Sequence, residues 1–256
     1  MDKNTAYQTV KAARSQDKIL TSDLIKKLVD GFFELHGDRK AGDDPAVIAG
    51  IGYLADHPIT VVGISKGKDT DSNIKRHFGS PTPEGYRKAL RVMNQAEKFH
   101  RPILALVNTP GAYPDVDSEY HGQGEAIAQC LLQGMQLKTP YISIILGEGG
   151  SGGAIALCCG DQVYMVKDSM YSVLSPEGYA SIMWKDAKKA PAAAAEMGLT
   201  PQELLNDKIV DQVLPEIKSD QDIKKLAKFL NNKFTALEKL PVEELVSKRQ
   251  QRYARY

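Results

Sequence analysis

The sequence predicts an α/β domain on a largely parallel sheet, with helical segments on either side of it. Three observations carry this reading. β-rich runs begin near residues 59, 103 and 141, each followed by a loop and a helical pattern; a spacing of about forty residues fits stacked ββα turns of one sheet. A glycine-rich stretch, GEGGSGG at 147–153, lies between a strand pattern and a helix pattern. The chain has 256 residues with 33 Lys and Arg against 32 Asp and Glu. That length suffices for one domain burying about 70–75% of its unfolded surface.

Residues 1–35 read as helix, because Leu20, Leu24 and Leu28 recur every fourth position with Ile25, Val29 and Phe33 beside them. Runs 46–54 and 59–65 flank Asp56-His57-Pro58 and read as a hairpin. A helix follows over 86–99 with Leu90 and Met93 inward, then a buried-type strand at 103–107, a loop at 108–120 and a helix at 125–137. Residues 141–146 read as a strand, 147–153 as a loop, 153–160 as a short apolar helix and 162–166 as a strand. Beyond Lys167 the pattern turns helical. Thr200-Pro201-Gln202-Glu203 has the form of a capping box with proline at the first helical position. Ile223, Leu226, Leu230, Phe234 and Leu237 mark a further amphipathic helix, and the polar residues after it suit a helical tail facing solvent or a partner.

A net charge of +1 argues against a nucleic-acid footprint and against a polybasic membrane anchor. No apolar run approaches the roughly 18–20 residues of a membrane span. The opening residues, MDKNTAYQTVKAARSQDK, lack the apolar stretch of a signal peptide. Cys130, Cys158 and Cys159 form neither a disulfide framework nor a zinc knuckle. A cytoplasmic protein without a metal site of its own is expected. Cys158 and Cys159, in an apolar helix, read as buried structural thiols.

The glycine-rich stretch satisfies three descriptions. Gly147, Gly149 and Gly152 fit G-x-G-x-x-G with Asp168 further on, as in dinucleotide binding, although the helix that follows is short and uncharged. Residues 149–153 are a literal G-x-S-x-G, which would make Ser151 a hydrolase nucleophile. Yet all five histidines (36, 57, 77, 100 and 121) precede it. The third description is an oxyanion hole, in which glycines at a helix start aim backbone N–H groups at a developing negative oxygen. Asn108-Thr109-Pro110-Gly111-Ala112-Tyr113-Pro114, at the same carboxyl edge of a parallel sheet, is then the natural second donor loop. Two tight turns with no ligand would fit the pattern too.

Several blocks together resemble the crotonase superfamily and, more closely, the carboxyltransferase α subunits of bacterial acetyl-CoA carboxylase. They are ELHGDR (34–39), FGSPTPEGYRKALRVMNQAEKF (78–99), NTPGAYP (108–114), GEGGSGGA (147–154), YSVLSPEGYASIMWKD (171–186) and IVDQVLPE (209–216). They run in family order over about residues 20–216. The family often has DTPGAYPG where this chain has Asn108 and Asp115, and a Glu-Pro-x-Gly-Gly-Ala-His-like run where it has Pro215-Glu216-Ile217-Lys218.

The resemblance implies a crotonase-like spiral of ββα units at 41–216, an N-terminal helical segment at 1–40 and a C-terminal helical tail at 217–256. It implies that carboxybiotin, carried on a separate protein, passes its carboxyl group to acetyl-CoA to form malonyl-CoA, the first committed step of fatty acid synthesis. The α subunit would hold the biotin ureido oxygen, and a homologous β subunit, bearing the zinc ribbon, the thioester oxygen. Biotin carboxyl carrier protein and biotin carboxylase would complete the complex, with an α2β2 carboxyltransferase core.

Carried over by position, the N–H groups of Gly152 and Gly153 would meet the biotin oxyanion. Gly111 and Ala112 would form the second donor loop, and Gly149, Gly150, Ser151, Ala154 and Tyr113 would bind the biotin, with Gly149 and Gly150 shaping the loop. Lys66, Lys68, Lys75 and Arg76 read as a solvated loop that could reach a CoA phosphate. Ser175-Pro176-Glu177-Gly178 would shape the pocket or brace it. The alternatives are a self-contained crotonase-type acyl-CoA hydratase or hydrolase, and a scaffold subunit with an empty site.

Overall fold

The structure is a computed structural model describing residues 3–255; residues 1, 2 and 256, with the parts of the helical segments expected there, lie outside it. Among the described residues eight strands form one mixed sheet: β1 (Asp30–Glu34), β2 (Val47–Leu54), β3 (His57–Ile64), β4 (Ile103–Thr109), β5 (Tyr141–Gly150), β6 (Gln162–Val166), β7 (Met170–Ser172) and β8 (Gln212–Leu214). Their order is β1-β2-β3-β4-β5-β6-β8, with β7 joined to the far half of β5. The β1–β2 and β2–β3 pairs are antiparallel, and every later pair is parallel.

Helices α1 (Lys3–Ala13) and α2 (Thr21–Leu28) precede the sheet, and α3 (Thr70–Lys75) and α4 (Pro83–Lys98) lie between β3 and β4. α5 (Val116–Tyr120) and α6 (Gln123–Gly134) follow β4, and α7 (Ser151–Ile155) follows β5. Then come α8 (Pro176–Trp184), α9 (Ala190–Glu196), α10 (Pro201–Asn206), α11 (Asp220–Glu238) and α12 (Val242–Tyr253).

The central strands are buried on both faces, as expected of parallel strands covered by crossover helices. Period-two alternation divides β4 between two cores. Leu104 and Leu106 meet Leu24 and Ile25 of α2 and Leu226, Leu230 and Phe234 of α11. Ile103, Ala105 and Val107 face Ala89, Val92, Met93 and Ala96 of α4. Each aliphatic side chain of leucine size so buried contributes about 1.5–3 kcal/mol. The reciprocal capping box at Thr200 is present, with Pro201 opening α10.

Several features differ from expectation. Residues 1–35 are not one helix: the chain leaves α2 at Val29 and enters β1, where Phe33 is largely exposed. The i+4 spacing of Val29 and Phe33 imitated a helix, but pairing with β2 is what orders the segment. The stretch 108–120 contains α5, capped by Asp115 accepting from the Ser118 N–H at 2.9 Å. The region after Lys167 holds the short strands β7 and β8 as well as helices.

Finally, the polar segment expected to face solvent or a partner folds back as α12. Its Arg249 is fully buried, paired to Asp161 and donating to the carbonyl oxygens of Gly134, Leu137 and Thr139. Tyr253 Oη lies 3.0 and 2.9 Å from the carbonyl oxygens of Cys158 and Gly160, behind α7.

Candidate active site

The parallel strands β4 and β5 end side by side, with Thr109 in register with Gly149. Their continuations, residues 110–115 and α7, therefore meet at one edge of the sheet. The glycines at 147–150, expected as a loop, extend β5 instead, and Gly149 pairs with Tyr171 of β7. Glycine signals a turn on statistical grounds, but here it permits contact between main chains. A Cβ on Gly150 would sit 2.1 Å from the Pro110 carbonyl oxygen, and one on Gly153 would sit 2.5 Å from the Ala112 nitrogen and 2.6 Å from Tyr86 Oη. Gly152 is different: a Cβ there would meet only Ile127 methyls, at 3.7 and 3.9 Å.

Ser151 opens α7 with φ +54°, a left-handed conformation that costs a non-glycine residue energy and recurs at functional turns. No hydrogen bond joins its hydroxyl to a histidine among the described residues. His36 pairs with Asp43, His57 with Glu238 and His121 with Glu84, while the His77 ring stacks on Tyr113. The dinucleotide pattern also fails structurally, since α7, expected over 153–160, spans only five residues and ends at Ile155. Ala154 is buried in α7.

Backbone donors remain. The first-turn N–H groups of a helix have no intrahelical acceptor, and among the described residues those of Gly152 and Gly153 have no other acceptor. On the facing loop, the Gly111 N–H is consumed by Thr109 Oγ1 at 3.0 Å. This corrects the expectation that Gly111 donates; its φ of +143° gives it a shaping part instead. The Tyr113 N–H donates to the Pro81 carbonyl at 2.9 Å. That leaves the Ala112 N–H as the loop's free donor, beside Gly153. Tyr113 is half-buried, its ring 4.2 Å from that of His77.

Beneath the donors lies a charge cluster absent from the sequence reading. Glu148 is nearly buried; it accepts from Arg14 Nε at 2.7 Å and pairs with the Lys66 ammonium. Arg14 also reaches Glu177 at 2.9 and 3.2 Å. Burial works against the Arg14 charge, but hydrogen bonds to Glu177 and Glu148 outweigh it and raise the pKa. The block 175–178 is thus a brace: Ser175 caps α8 by accepting from the Gly178 N–H at 3.1 Å, and Glu177 holds Arg14. Asn108 ties the two strand ends together by accepting the Glu148 N–H at 3.1 Å.

Of the basic residues singled out, Lys66 is engaged with Glu148, and Arg76 donates to the Pro45 carbonyl. Lys68 lines a cleft of about 750 Å³ with Arg14, Lys66, Phe78 and Asn108, and Lys75 is exposed on α3. Burial pushes the Cys130 and Cys158 thiols up strongly and Cys159 up to about 11, so none is a thiolate near neutral pH. Among the described residues no cluster of metal-ligating side chains occurs, and no helix is long and apolar enough to cross a membrane.

Thr109 and Arg14 carry the geometry of the site, yet the sequence reading assigned neither a role. Thr109 stood within the quoted NTPGAYP block, whereas nothing local marks Arg14, whose partners lie 134 and 163 residues away.

Residues 1–256 match the family described as acetyl co-enzyme A carboxylase carboxyltransferase-like. Proteins of Streptococcus pneumoniae serotype 19F (strain G54) and strain P1031, named acetyl-coenzyme A carboxylase carboxyl transferase subunit alpha, are 51% identical over 249 residues, covering 96% of this chain and 98% of theirs. Among solved structures, the transcarboxylase 12S hexamer core with methylmalonyl-coenzyme A and methylmalonic acid bound aligns with a TM-score of 0.70 at 22% identity. That match covers 88% of this chain and 42% of the transcarboxylase chain. A Pseudomonas malonate decarboxylase hetero-tetramer in complex with coenzyme A aligns with a TM-score of 0.68 at 16% identity, covering 84% of this chain and 89% of the other. At these identities the structural likeness is one of fold.

Proposed function

The chain belongs to the acetyl co-enzyme A carboxylase carboxyltransferase-like family, and on that footing we propose that it is the α subunit that receives carboxybiotin in acetyl-CoA carboxylase. Its fold is the crotonase-like α/β fold of the carboxyltransferases it resembles. The reaction passes a carboxyl group to acetyl-CoA and forms malonyl-CoA.

The observation that carries the reading is the meeting of unpaired backbone donors at Ala112, Gly152 and Gly153, with no histidine base on Ser151. Bound carboxybiotin would supply both the carboxyl group destined for acetyl-CoA and the base for the methyl proton, so no protein base is required of this chain. The chain then has to stabilise one oxygen and exclude other geometries, which is work for aimed N–H groups. One such donor contributes about 3–4 kcal/mol to the transition state, by the losses seen when a single donor is removed elsewhere. Gly152, where an added Cβ would meet only the Ile127 methyls at ordinary contact distance, leaves room for the oxygen; Gly153 and Gly150 set the gap between α7 and the Ala112 loop. Glu148, Arg14 and Glu177 hold α1, β5 and α8 around that gap.

The thioester half of the site is assigned to a zinc-bearing β partner, and the biotin to a carrier protein loaded by a biotin carboxylase. An α2β2 core in the cytoplasm completes the proposal. The test is co-expression with a candidate zinc-ribbon β subunit and a carboxyl-transfer assay on each chain and on the complex. Transfer by the complex alone is expected. Acyl-CoA turnover by this chain without a partner would instead establish the hydratase or hydrolase alternative.

A further inference from the structure

The loop that carries the Ala112 N–H turns on Gly111, a residue with φ +143° and no side chain. A glycine pivot has wide conformational freedom, so nothing within it fixes the plane of the peptide that joins Gly111 to Ala112. The plane is fixed from outside. Thr109 Oγ1 accepts the Gly111 N–H at 3.0 Å and donates to the Gly111 carbonyl oxygen at 2.9 Å.

Thr109 is itself fully buried at the end of β4, and its β-branched side chain has restricted χ1 freedom. Because a trans peptide is planar, with its N–H opposed to its C=O, holding the Gly111 oxygen also sets the direction of the Ala112 N–H. The opposite side of that peptide is closed by Gly153, whose absent Cβ would fall 2.5 Å from the Ala112 nitrogen and 2.7 Å from the Gly111 carbonyl carbon.

We propose that Thr109 is a positioning residue for carboxyl transfer, its hydroxyl aiming the Ala112 N–H by anchoring the Gly111 carbonyl. The proposal rests on the functional reading above. It goes further in giving the second donor loop a single donor and naming the side chain that directs it.

The experiment uses the chain reconstituted with its β partner and compares wild type with Thr109→Val, which keeps the shape and removes the hydroxyl, and Thr109→Ser, which keeps the hydroxyl. Thr109→Val is expected to lower kcat by about 10–100-fold, short of the full loss of an oxyanion donor. KM for acetyl-CoA, held by the other chain, stays within about twofold, and Thr109→Ser stays within about threefold of wild type in kcat. Thermal unfolding is recorded on each variant. If Thr109→Val does not fold, Thr109→Ala against Thr109→Ser reads the same contrast. A hydroxyl-free variant that folds and transfers at the wild-type rate overturns the proposal, as does a Ser variant as impaired as the Val one. Absence of transfer by the wild-type complex would overturn the functional reading, and this inference with it.

Discussion

Arg249 and Asp161 form a two-point ion pair, both contacts at 2.8 Å, with neither side chain appreciably exposed. The remaining guanidinium hydrogens go to the carbonyls of Gly134, Leu137 and Thr139. Every polar group in this buried knot therefore has a partner. Arg249→Met removes one side of it and strands a carboxylate in the interior, so stability is expected to fall by about 3–5 kcal/mol. Urea unfolding of the two proteins measures the difference; a loss below about 1 kcal/mol would mean that α12 is not anchored as described.

Two neighbouring glycines separate packing from chemistry. Gly153→Ala forces a methyl onto the main chain of Ala112, and about 1–3 kcal/mol or more of destabilisation is expected. Gly152→Ala meets only ordinary contacts and is expected to be neutral or stabilising by about 0.5–1 kcal/mol. Gly152→Val should fold too, yet its branched side chain shades the donor. Transfer by the reconstituted complex is then expected to fall by about 10²-fold or more. A fully active Gly152→Val complex would point to a scaffold subunit.

Tyr86 is wholly buried, and its hydroxyl has no partner among the described residues. Burial raises the phenol pKa well above its ordinary value, so the group stays protonated. An unpaired buried hydroxyl is a cost, and Tyr86→Phe removes it while keeping the ring. Stability is expected to be unchanged or higher by up to about 1 kcal/mol. A lower denaturation midpoint in the variant would contradict this.

Acid should loosen the 34–44 segment early. Burial alone would raise the Asp38 pKa, but the N–H groups of Lys40, Ala41 and Gly42 and the Arg87 guanidinium outweigh it and hold the carboxylate well below its usual range. Asp43 is likewise lowered to about 2; burial opposes the shift, and Lys88 is the leading cause that drives it. A depressed carboxylate contributes stability above its unfolded pKa and loses it as pH falls through the folded one. The loss is therefore expected from just below pH 4 downward, through about pH 2 for Asp43. Asp38→Asn should show a shallower decline between pH 4 and pH 3 than wild type in urea midpoints; parallel curves would exclude the assignment.

Periodicity made α4 and α11 readable, and short apolar runs bounded by turn residues did the same for the hairpin, β4 and the first half of β5. β7 and β8 are three residues long and exist only through pairing with β5 and β6, so no local pattern announces them. β1 was hidden because Val29 and Phe33 stand four apart on a chain that is no longer helical. At the site, the glycines were recognisable as candidate donors, but which N–H groups lack an acceptor was not. That depends on the Thr109 hydroxyl and the Pro81 carbonyl, whose partners are settled by tertiary placement. The Arg14–Glu148–Glu177 cluster joins three distant segments and leaves no trace in local sequence.

Gly150 and Gly153 lie against Pro110 and Ala112 main chain to main chain. The distance between the two donor segments is thus set by contact of peptide groups, which no side-chain exchange can retune. On the proposed function, substrate preference is then adjusted outside this gap. The reacting geometry itself behaves as a fixed gauge: it can be broken by adding an atom, but not gradually widened.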